Sequence, residues 1–296
     1  MRVLITGGSG FIGSRISYYL LKKKFKVICL VNKKKINLKN KNLEKLYISN
    51  IIKNSYSKSI DAIIHCASKT PVNCNNDKKI FVENIDLMKK LLNFAEVKNV
   101  KNFIFLSSMS VYGTKNVKIY KENNNFNKPD IYGKSKRLCE KMLINYEKQK
   151  SKVEFKFISI RLPGVVGLNS HSNFISDSVK KILTNKKITV SNPNSFFNNI
   201  VYVNSLANFM IKFIKTKKSK INFINLGSSN KMKIKEIFDF IHTKLKKENK
   251  VDWIKTNKNP FIIDFKKALK IGYKPMTVKN SLSKYLSEIK KRKFII

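Results

Sequence analysis

The fold is decided by one stretch near the start of the chain, Val3-Leu4-Ile5-Thr6-Gly7-Gly8-Ser9-Gly10-Phe11-Ile12-Gly13. An apolar run leads into a literal G-x-G-x-x-G at Gly8, Gly10 and Gly13, a helical pattern follows, and a second apolar run comes at Lys26–Val31. The first glycine permits a tight turn, the second lets the backbone approach a pyrophosphate, and the third lets the helix pack closely on the strand. The N–H groups that open such a helix favour an anion. The order of strand, turn, helix and strand therefore predicts a dinucleotide-binding site.

Apolar runs and helical patterns continue to alternate along the first half of the chain. The apolar runs lie at 46–49, 62–66, 103–107 and 155–160, and the helical patterns cover 77–97 and 130–150. This alternation predicts an α/β fold with a Rossmann-type, doubly wound parallel sheet and right-handed crossovers. After residue 163 the pattern loosens into helices mixed with short strands. We expect a dinucleotide-binding domain over 1–163 and a smaller, mixed substrate-binding region over 164–296.

The residues after the second apolar run bear on the choice of dinucleotide. An acid about 20 positions after the glycine motif would bind the ribose 2′-hydroxyl of NAD. This chain has Asn32 followed by Lys33, Lys34 and Lys35, and its next acid is Glu44. We therefore predict that Asn32 and Lys33 contact an NAD(P) cofactor and that NADP is favoured over NAD. The alternative is that these lysines belong to the lysine-rich background of the chain.

A second stretch, Pro129-Asp130-Ile131-Tyr132-Gly133-Lys134-Ser135-Lys136, predicts catalytic chemistry. Tyr132 and Lys136 are four residues apart, so they share one face if a helix starts here. An ammonium beside a phenol favours the phenolate, which can exchange a proton with a substrate oxygen while hydride moves to or from a nicotinamide. Ser107 and Ser108 end the fifth strand, at the carboxyl edge where open α/β sheets bind ligands. A hydroxyl from this strand end would hold the reacting oxygen.

Four motifs in this order resemble the extended short-chain dehydrogenase/reductase family, in particular its nucleotide-sugar epimerases and reductases. They are TGGSGFIG at 6–13, SSMSVYG at 107–113, YGKSK at 132–136 and RLPGVVG at 161–167. The resemblance implies an NAD(P)-dependent enzyme that acts on a nucleotide-linked sugar or another small carbonyl substrate. It also implies a homodimer formed through two helices of each chain, here the patterns at about 77–97 and 130–150.

The resemblance further implies roles for individual residues. Tyr132 would be the general acid/base, Lys136 its ribose-binding partner, and Ser108 the catalytic hydroxyl. Asn84 falls on the asparagine of the family's catalytic set, and its alternative role is helix capping or packing. Ala67 would let the cofactor pass, and Pro163 would lie near the nicotinamide carboxamide. The remaining cofactor-binding positions are those of the glycine turn: Gly7, Gly8, Gly10, Phe11, Ile12 and Gly13.

Two departures from the family pattern narrow the expected reaction. Members that dehydrate sugars between C4 and C6 carry an Asp-Glu pair where this chain has Met109 and Ser110. We therefore expect a 4-epimerase or a 4-ketoreductase rather than a 4,6-dehydratase. Asn198 stands where an arginine often holds the substrate pyrophosphate, and Lys266 or Lys267 would supply the charge instead, with less directional bonding.

The net charge is unusual. The 296 residues include 62 lysines and arginines against 18 acids, which gives +44 at pH 7. Only five of the basic residues are arginines, so the bidentate side chain that suits base and phosphate recognition is scarce. A/T-rich codons account for abundant Lys, Asn, Ile and Phe, but they do not account for the scarcity of acids. The charge predicts weak, salt-dependent attraction to polyanions and anionic membranes.

Two other classes of function stay open at this point. One is an NADPH-dependent reductase of a non-sugar carbonyl, which would use the same catalytic set. The other is an RNA- or membrane-associated binding protein on a dehydrogenase scaffold, which the charge suggests but which has no need of the catalytic residues. The four cysteines form no CxxC pair, so reduced thiols are expected rather than disulfides or a metal site.

The sequence also bears on the compartment. No apolar run approaches the roughly 18 residues that span a bilayer. The first residues lead directly into a strand pattern and lack the layout of a signal peptide. We therefore expect a cytoplasmic protein with no integral membrane segment.

Overall fold

The computed structural model describes residues 1–31, 38–53, 55–71, 74–114, 117–149, 155–216, 221–256 and 260–293. Its strands are β1 (Arg2–Thr6), β2 (Lys26–Val31), β3 (Leu43–Tyr47), β4 (Ala62–His65), β5 (Asn102–Ser108), β6 (Ile119–Tyr120), β7 (Lys156–Leu162), β8 (Gly164–Val166), β9 (Ile188–Ser191), β10 (Phe196–Phe197), β11 (Ile200–Tyr202), β12 (Phe223–Asn225), β13 (Met232–Lys233), β14 (Val251–Ile254) and β15 (Ile262–Ile263). Its helices are α1 (Phe11–Lys22), α2 (Ile48–Ile52), α3 (Asp77–Val97), α4 (Ile131–Gln149), α5 (Phe174–Leu183), α6 (Val203–Lys215), α7 (Ile234–Leu245), α8 (Lys266–Lys270) and α9 (Val278–Lys293). A 3₁₀ turn covers Met109–Tyr112.

Seven of the strands form one parallel sheet in the order β12-β7-β5-β4-β1-β2-β3. From β1, strands β2 and β3 extend the sheet in one direction. Strand β4 then pairs on the other side of β1, and β5, β7 and β12 extend the sheet in the opposite direction. The strand order therefore reverses between β1 and β4, which is where doubly wound sheets bind ligands. Every residue of β4 and β7 is buried, as expected for strands covered on both faces. The predicted α/β, Rossmann-type, doubly wound parallel sheet is confirmed.

The chain divides into two compact units. Unit 1 comprises Met1–Thr114, Asn125–Arg161 and Ala207–Ile224, and unit 2 comprises Lys115–Asn124, Leu162–Leu206 and Asn225–Ile296. The change of unit after Arg161 lies close to the predicted boundary at 163, but the division is not a single cut. Most of α6 and β12 return to unit 1 because β12 is the edge strand beside β7. A run as short as β12 does not reveal from its sequence which sheet it joins.

Each unit has its own apolar core. In unit 1, α3 and α4 pack against each other, and Leu91 and Leu143 from these helices join Phe103 and Phe105 of β5 in a fully buried cluster. In unit 2, the cluster combines buried side chains of α5, α7 and α9 with those of the short strands. Four two-stranded sheets pair β10 with β13, β11 with β8, β14 with β9 and β15 with β6.

The predicted element boundaries are mostly accurate, with one clear error. The helical pattern at 77–97 is α3, and the pattern at 130–150 is α4. The third strand was predicted at 46–49, but β3 covers Leu43–Tyr47 and Ile48 already begins α2. The reason is that β3 is an edge strand in which only Leu46 is buried, so its apolar pattern is weak.

Within the described ranges, no helix is both long and apolar enough to cross a membrane.

Candidate active site

The glycine turn between β1 and α1 is closed by backbone contacts that side chains would prevent. Gly7 has a φ of +68°, and its carbonyl accepts a hydrogen bond of 2.9 Å from the N–H of Gly10. A Cβ on Gly13 would lie 2.2 Å from the carbonyl oxygen of Gly7, and a Cβ on Gly8 would lie 2.5 Å from Sγ of Cys29. The helix therefore starts directly against the end of the strand, as the motif predicts.

The start of α1 suits an anion. The helix begins at Phe11, its N-cap is Gly10, which has no side chain to cap it, and its first turn holds no acid. The first turn of a helix presents N–H groups and the positive end of the helix dipole. The structure thus brings together the six predicted residues of the turn, and their arrangement fits the pyrophosphate of a dinucleotide. Asn32 and Lys33 lie outside the described residues.

Thr6, which the motif analysis did not single out, joins the glycine turn to the end of β4. Its Oγ1 accepts hydrogen bonds from the N–H groups of Cys66 and Ala67, at 3.1 and 3.0 Å. Because both lone pairs are then used, the hydroxyl proton must go to Nδ1 of His65, 2.7 Å away. His65 is therefore the tautomer that carries its proton on Nε2. The predicted cofactor residue Ala67 also lies against Gly7, where a Cβ would come within 2.9 Å of its nitrogen.

His65 is held neutral by its surroundings. Its side chain is buried and its ring stacks on Phe105 with 5.4 Å between centroids. Nζ of Lys136 lies 4.7 Å from the centroid of the same Phe105 ring. Burial, and then the charge of Lys136, lower the pKa of His65 well below its ordinary value. His65 is therefore a packed residue of β4, and it also orients the Thr6 hydroxyl.

The side chain of Asn84 makes four hydrogen bonds that connect two parts of unit 1. Its Oδ1 accepts from Oγ of Ser68 and from the N–H of Lys69, at 3.1 and 2.8 Å. Its Nδ2 donates to the carbonyl of Lys69 at 3.0 Å and to Oγ of Ser135 at 3.1 Å. The side chain is buried on α3 and its donors and acceptors are all engaged. Asn84 therefore ties the segment after β4 to α4, which corresponds to the alternative, packing role.

The start of α4 places Tyr132 beside the 3₁₀ turn 109–112. Oδ1 of Asp130 accepts a hydrogen bond of 2.6 Å from the N–H of Gly133, so Asp130 caps the helix. Gly133 in turn lies so close to the turn that a Cβ would be 2.2 Å from the carbonyl oxygen of Ser110. Tyr132 is half-buried in the first turn of the helix. The glycine in YGKSK is thus required for this close approach.

Lys136 lies one turn further along α4 with its ammonium buried. Its Nζ donates to the carbonyl of Leu106 at 2.8 Å and lies 5.6 Å from the ring centroid of Tyr132. Only 3% of the residue is exposed. The carbonyl belongs to β5, two residues before Ser108. The contact links the tyrosine–lysine face of α4 to the strand end that carries Ser108.

The two serines at the end of β5 are in different environments. Ser107 is buried, and within the described residues its hydroxyl has no hydrogen-bond partner. Ser108 is half-buried, accepts from the N–H of Ser110 and donates to Oγ of Ser110, both at 3.1 Å. Ser108 is therefore the serine of this pair that a ligand can reach, and its catalytic role stays a prediction.

Four further predicted positions lie in unit 2. Pro163 directly follows β7 and is half-buried, and its place near a nicotinamide stays a prediction. Asn198 is buried, and its amide both donates to the carbonyl and accepts from the N–H of Ile263, at 2.9 and 2.8 Å. This side chain therefore anchors β15 rather than facing a ligand. Lys266 and Lys267 are exposed on α8.

The cysteines are free thiols. Cys29 and Cys139 are buried, and burial raises the pKa of the Cys139 thiol to about 11. Among the described residues, no three of His, Cys, Asp and Glu come together as a metal site.

The comparisons with known proteins agree with this geometry. The family described as NAD dependent epimerase/dehydratase matches residues 3–227. A protein of Methanocaldococcus jannaschii named as a candidate UDP-glucose 4-epimerase is 24% identical, over 92% of this chain and 93% of that one. The dTDP-D-glucose 4,6-dehydratase of Dictyostelium discoideum is 29% identical, over 77% of this chain and 58% of that one. The crystal structure of a UDP-glucuronic acid 4-epimerase from Bacillus cereus in complex with NAD has a TM-score of 0.81 at 21% identity, covering 99% of both chains.

The chain belongs to the NAD-dependent epimerase/dehydratase family. It is therefore an NAD(P)-dependent enzyme of the extended short-chain dehydrogenase/reductase type. The resemblance drawn from the four sequence motifs is confirmed. Membership of this enzyme family also argues against the alternative of a binding protein without catalytic activity.

The residues that join these motifs are not among the predicted site residues. Thr6 and Ser135 lie inside the quoted motifs, yet their hydrogen bonds reach residues about 50 to 60 positions away. Glu140 was not noticed at all, although it forms a buried ion pair with Arg161 of the RLPGVVG motif. The available signal is an acid four positions after Lys136, in a chain with only 18 acids.

Proposed function

We propose that the enzyme is a 4-epimerase of a nucleotide-linked sugar. The observation that carries the proposal is the arrangement of Ser108, Tyr132 and Lys136. The close approach of Gly133 to the 3₁₀ turn 109–112 and the bond from Lys136 to β5 hold this arrangement. The relatives named as UDP-sugar 4-epimerases support the substrate class. A simple 4-ketoreductase uses the same residues and differs only in exchanging its cofactor after each turnover.

In the proposed mechanism the chain supplies binding and proton transfer. The turn from Gly7 to Gly13 would hold the pyrophosphate of the dinucleotide, which supplies the hydride acceptor and donor when bound. Tyr132 takes the proton of the sugar 4-hydroxyl as C4 loses hydride, and Ser108 holds the oxygen through its hydroxyl. Nζ of Lys136, 5.6 Å from the ring centroid of Tyr132, places a positive charge beside this phenol. Once the 4-ketone has turned its opposite face, Tyr132 would return the proton to the C4 oxygen as C4 regains hydride.

The 3₁₀ turn argues against dehydration. Loss of water between C5 and C6 of a 4-keto sugar needs a base for the C5 proton and an acid for the departing hydroxyl. The turn offers Met109 and Ser110 instead, and the Ser110 hydroxyl is hydrogen-bonded to Ser108. Neither side chain is a carboxyl group. We therefore propose that the enzyme inverts C4 and leaves C5 and C6 unchanged.

Product analysis in deuterated water tests the proposal. The purified enzyme is incubated with UDP-glucose, UDP-N-acetylglucosamine, UDP-glucuronic acid or dTDP-glucose, and the sugars are followed by proton NMR. We expect one of them to equilibrate with its C4 epimer without incorporating deuterium. A 4-keto-6-deoxy product containing solvent deuterium would instead indicate a dehydratase. Conversion of small ketones with NADPH, with every nucleotide sugar unchanged, would indicate a non-sugar reductase.

The choice between the two dinucleotides rests on the sequence after β2. Because Asn32 and Lys33 replace the usual acid, we propose a preference for NADP over NAD. Lys33→Glu should weaken NADP binding by about tenfold, the effect of losing one charged phosphate contact. The control is Lys181→Glu on α5, an exposed lysine of unit 2 with the same change of charge. Tighter binding of NAD by the wild type would contradict the preference.

We also propose a homodimer built through α3 and α4, as the family resemblance implies. The two helices pack together on unit 1. Val82 and Val97 of α3 are 44% and 54% exposed, so this helix leaves apolar side chains uncovered. Light scattering of the purified protein should give twice the mass of the chain, and a monomer at micromolar concentration would contradict the proposal.

A further inference from the structure

A buried ion pair lies in unit 1 below the catalytic residues. Arg161 of β7 donates from Nε to Oε1 of Glu140 at 3.0 Å and from Nη2 to Oε2 at 2.8 Å. Both side chains are only 4% exposed. Ser159 adds a hydrogen bond of 2.9 Å to Oε1 of Glu140. The two-pronged geometry orients the guanidinium in one plane, which a lysine ammonium would not do.

The same guanidinium reaches the 3₁₀ turn 109–112. Its Nη1 donates to the hydroxyl of Tyr112 at 2.8 Å, and its Cζ lies 5.0 Å from the centroid of the Tyr112 ring. The ring centroids of Phe126 and Phe223 each lie 5.2 Å from Cζ of Arg161, so three aromatic rings pack around the guanidinium. Burial alone would lower the pKa of Arg161, but the hydrogen bonds and charge of Glu140 outweigh it and raise the pKa. The Arg161 guanidinium therefore stays charged.

These contacts join, through β7, the two elements that carry the proposed catalytic residues. Tyr112 ends the turn that follows Ser108. Glu140 lies on α4, one turn after Lys136 and two turns after Tyr132. Helix α4 already touches the turn at Gly133, so the ion pair supplies a second, distant point of attachment. The helix is thus attached to the 3₁₀ turn at two points about two helical turns apart, in addition to its packing on α3.

We propose that Tyr112, Glu140 and Arg161 are positioning residues that hold Ser108 in register with Tyr132 and Lys136. The proposal rests on the function proposed above. All three residues are at most 3% exposed, so they act through the residues they connect rather than by touching substrate. Buried ion pairs are weak contributors to net stability, and well-packed apolar residues can replace them. The role of the Arg161–Glu140 ion pair is therefore to align the catalytic residues.

The first test removes one hydroxyl. Tyr112→Phe keeps the buried ring and removes the hydroxyl that accepts the hydrogen bond from Arg161. We expect kcat for the nucleotide sugar to fall by about tenfold to a hundredfold, since small misplacements of reacting groups have effects of this size. KM and cofactor affinity should stay within twofold. The matched control is Tyr146→Phe, the same change on a buried tyrosine of α4 that packs on Phe155, and it should leave kcat unchanged.

A double-mutant comparison separates positioning from a merely structural role. If Tyr112 acts through Tyr132, then Tyr112→Phe has little further effect on kcat in a Tyr132→Phe background. An equal loss in both backgrounds would overturn the proposal, and so would an unchanged kcat in the single variant. Arg161→Lys keeps the charge but loses the fork, so it should lower kcat as well. Recovery of full kcat by this lysine would contradict the role given to the guanidinium plane.

A direct structural readout keeps this test independent of the proposed reaction. Crystal structures of the wild type and Tyr112→Phe with bound dinucleotide give the distance from Ser108 Oγ to Tyr132 Oη. We expect the variant to change this distance by about 0.5 Å or more, the tolerance of a well-positioned site. An unchanged distance overturns the positioning role even if the wild type is active. An inactive wild type with a changed distance overturns the proposed function alone.

Discussion

The hydroxyl of Thr6 joins the ends of two neighbouring strands at the glycine turn. It accepts hydrogen bonds from the N–H groups of Cys66 and Ala67 and donates one to Nδ1 of His65. A valine of the same shape would leave two half-buried N–H groups and one ring nitrogen without this partner. The carboxyl edge of the sheet is thus shaped by a residue that has no part in the chemistry itself.

Gly13 gives the sharpest prediction at the residue scale. Gly13→Ala places a methyl group 2.2 Å from the carbonyl of Gly7, and backbone cannot move aside as a side chain would. We expect the free energy of unfolding to fall by about 1–3 kcal/mol and dinucleotide binding to be lost. Urea unfolding and calorimetric titration measure the two effects. Ser14→Ala, one position on, is the control, and equal behaviour of the two variants would contradict the argument.

His65 predicts how stability depends on pH. Burial, and then Lys136, lower its pKa in the folded protein, so the unfolded chain binds this proton first as the pH falls. Its contribution to stability is therefore complete above about pH 6.5 and is lost progressively below it, by at most about 1.4 kcal/mol per pH unit. His65→Asn keeps an acceptor for Thr6 and removes the titration. Urea unfolding between pH 7.5 and 5 should show a shallower loss in this variant, and identical slopes would refute the assignment.

Some of these residues could be predicted from sequence and others could not, for a physical reason. Tyr132 and Lys136 are related by helix geometry alone, and the glycine turn by local backbone geometry, so short motifs reveal them. The bonds of Thr6 to Ala67 and of Arg161 to Glu140 join residues 61 and 21 positions apart. They depend on which strands become neighbours, which a single sequence does not state.

At the scale of elements, α4 is the part on which the site depends most. It carries Tyr132 and Lys136, receives the cap from Asp130, and is joined to α3 through Asn84 and Ser135. Its limits were predicted to within one residue because its pattern is long and periodic. The edge strand β3 was misplaced because one buried residue does not make a pattern.

Asn84 allows the connection between α3 and α4 to be tested. Asn84→Ala removes all four hydrogen bonds of the side chain and leaves the backbone groups of Lys69 without them. We expect the free energy of unfolding to fall by about 1–3 kcal/mol, the cost of buried unsatisfied polar groups, together with a lower kcat. Asn93→Ala, on the exposed face of the same helix, is the control. A kcat and stability equal to those of this control would show that the bridge is dispensable.

At the scale of the whole molecule, charge is the dominant property. With 62 basic against 18 acidic residues, the surface carries a strong positive field. Ion pairs such as Lys187–Asp252 and Lys235–Asp239 are exposed, so each contributes little energy. A nucleotide sugar carries a negatively charged diphosphate, so the field should speed its association. The charge then serves the enzyme without requiring a nucleic acid partner.

Ionic strength tests this role of the charge. Between 20 and 500 mM salt, kcat/KM for the nucleotide sugar should fall by about tenfold or more, because screening weakens steering of a charged ligand. The value of kcat, measured at saturation, should change little. Viscosity-matched neutral sucrose is the control. A salt-independent kcat/KM would mean that the field has no part in substrate capture.

The most direct test of the central claim is the turnover of Tyr132→Phe. The account predicts that kcat for C4 epimerisation falls by about a hundredfold to ten-thousandfold, because the proton-transfer group is lost, while the dinucleotide released on denaturation stays equal to that of the wild type. Tyr120→Phe, a buried tyrosine of unit 2 that packs against Phe261, should retain normal turnover. Epimerisation at the wild-type rate by Tyr132→Phe would contradict the account at its centre.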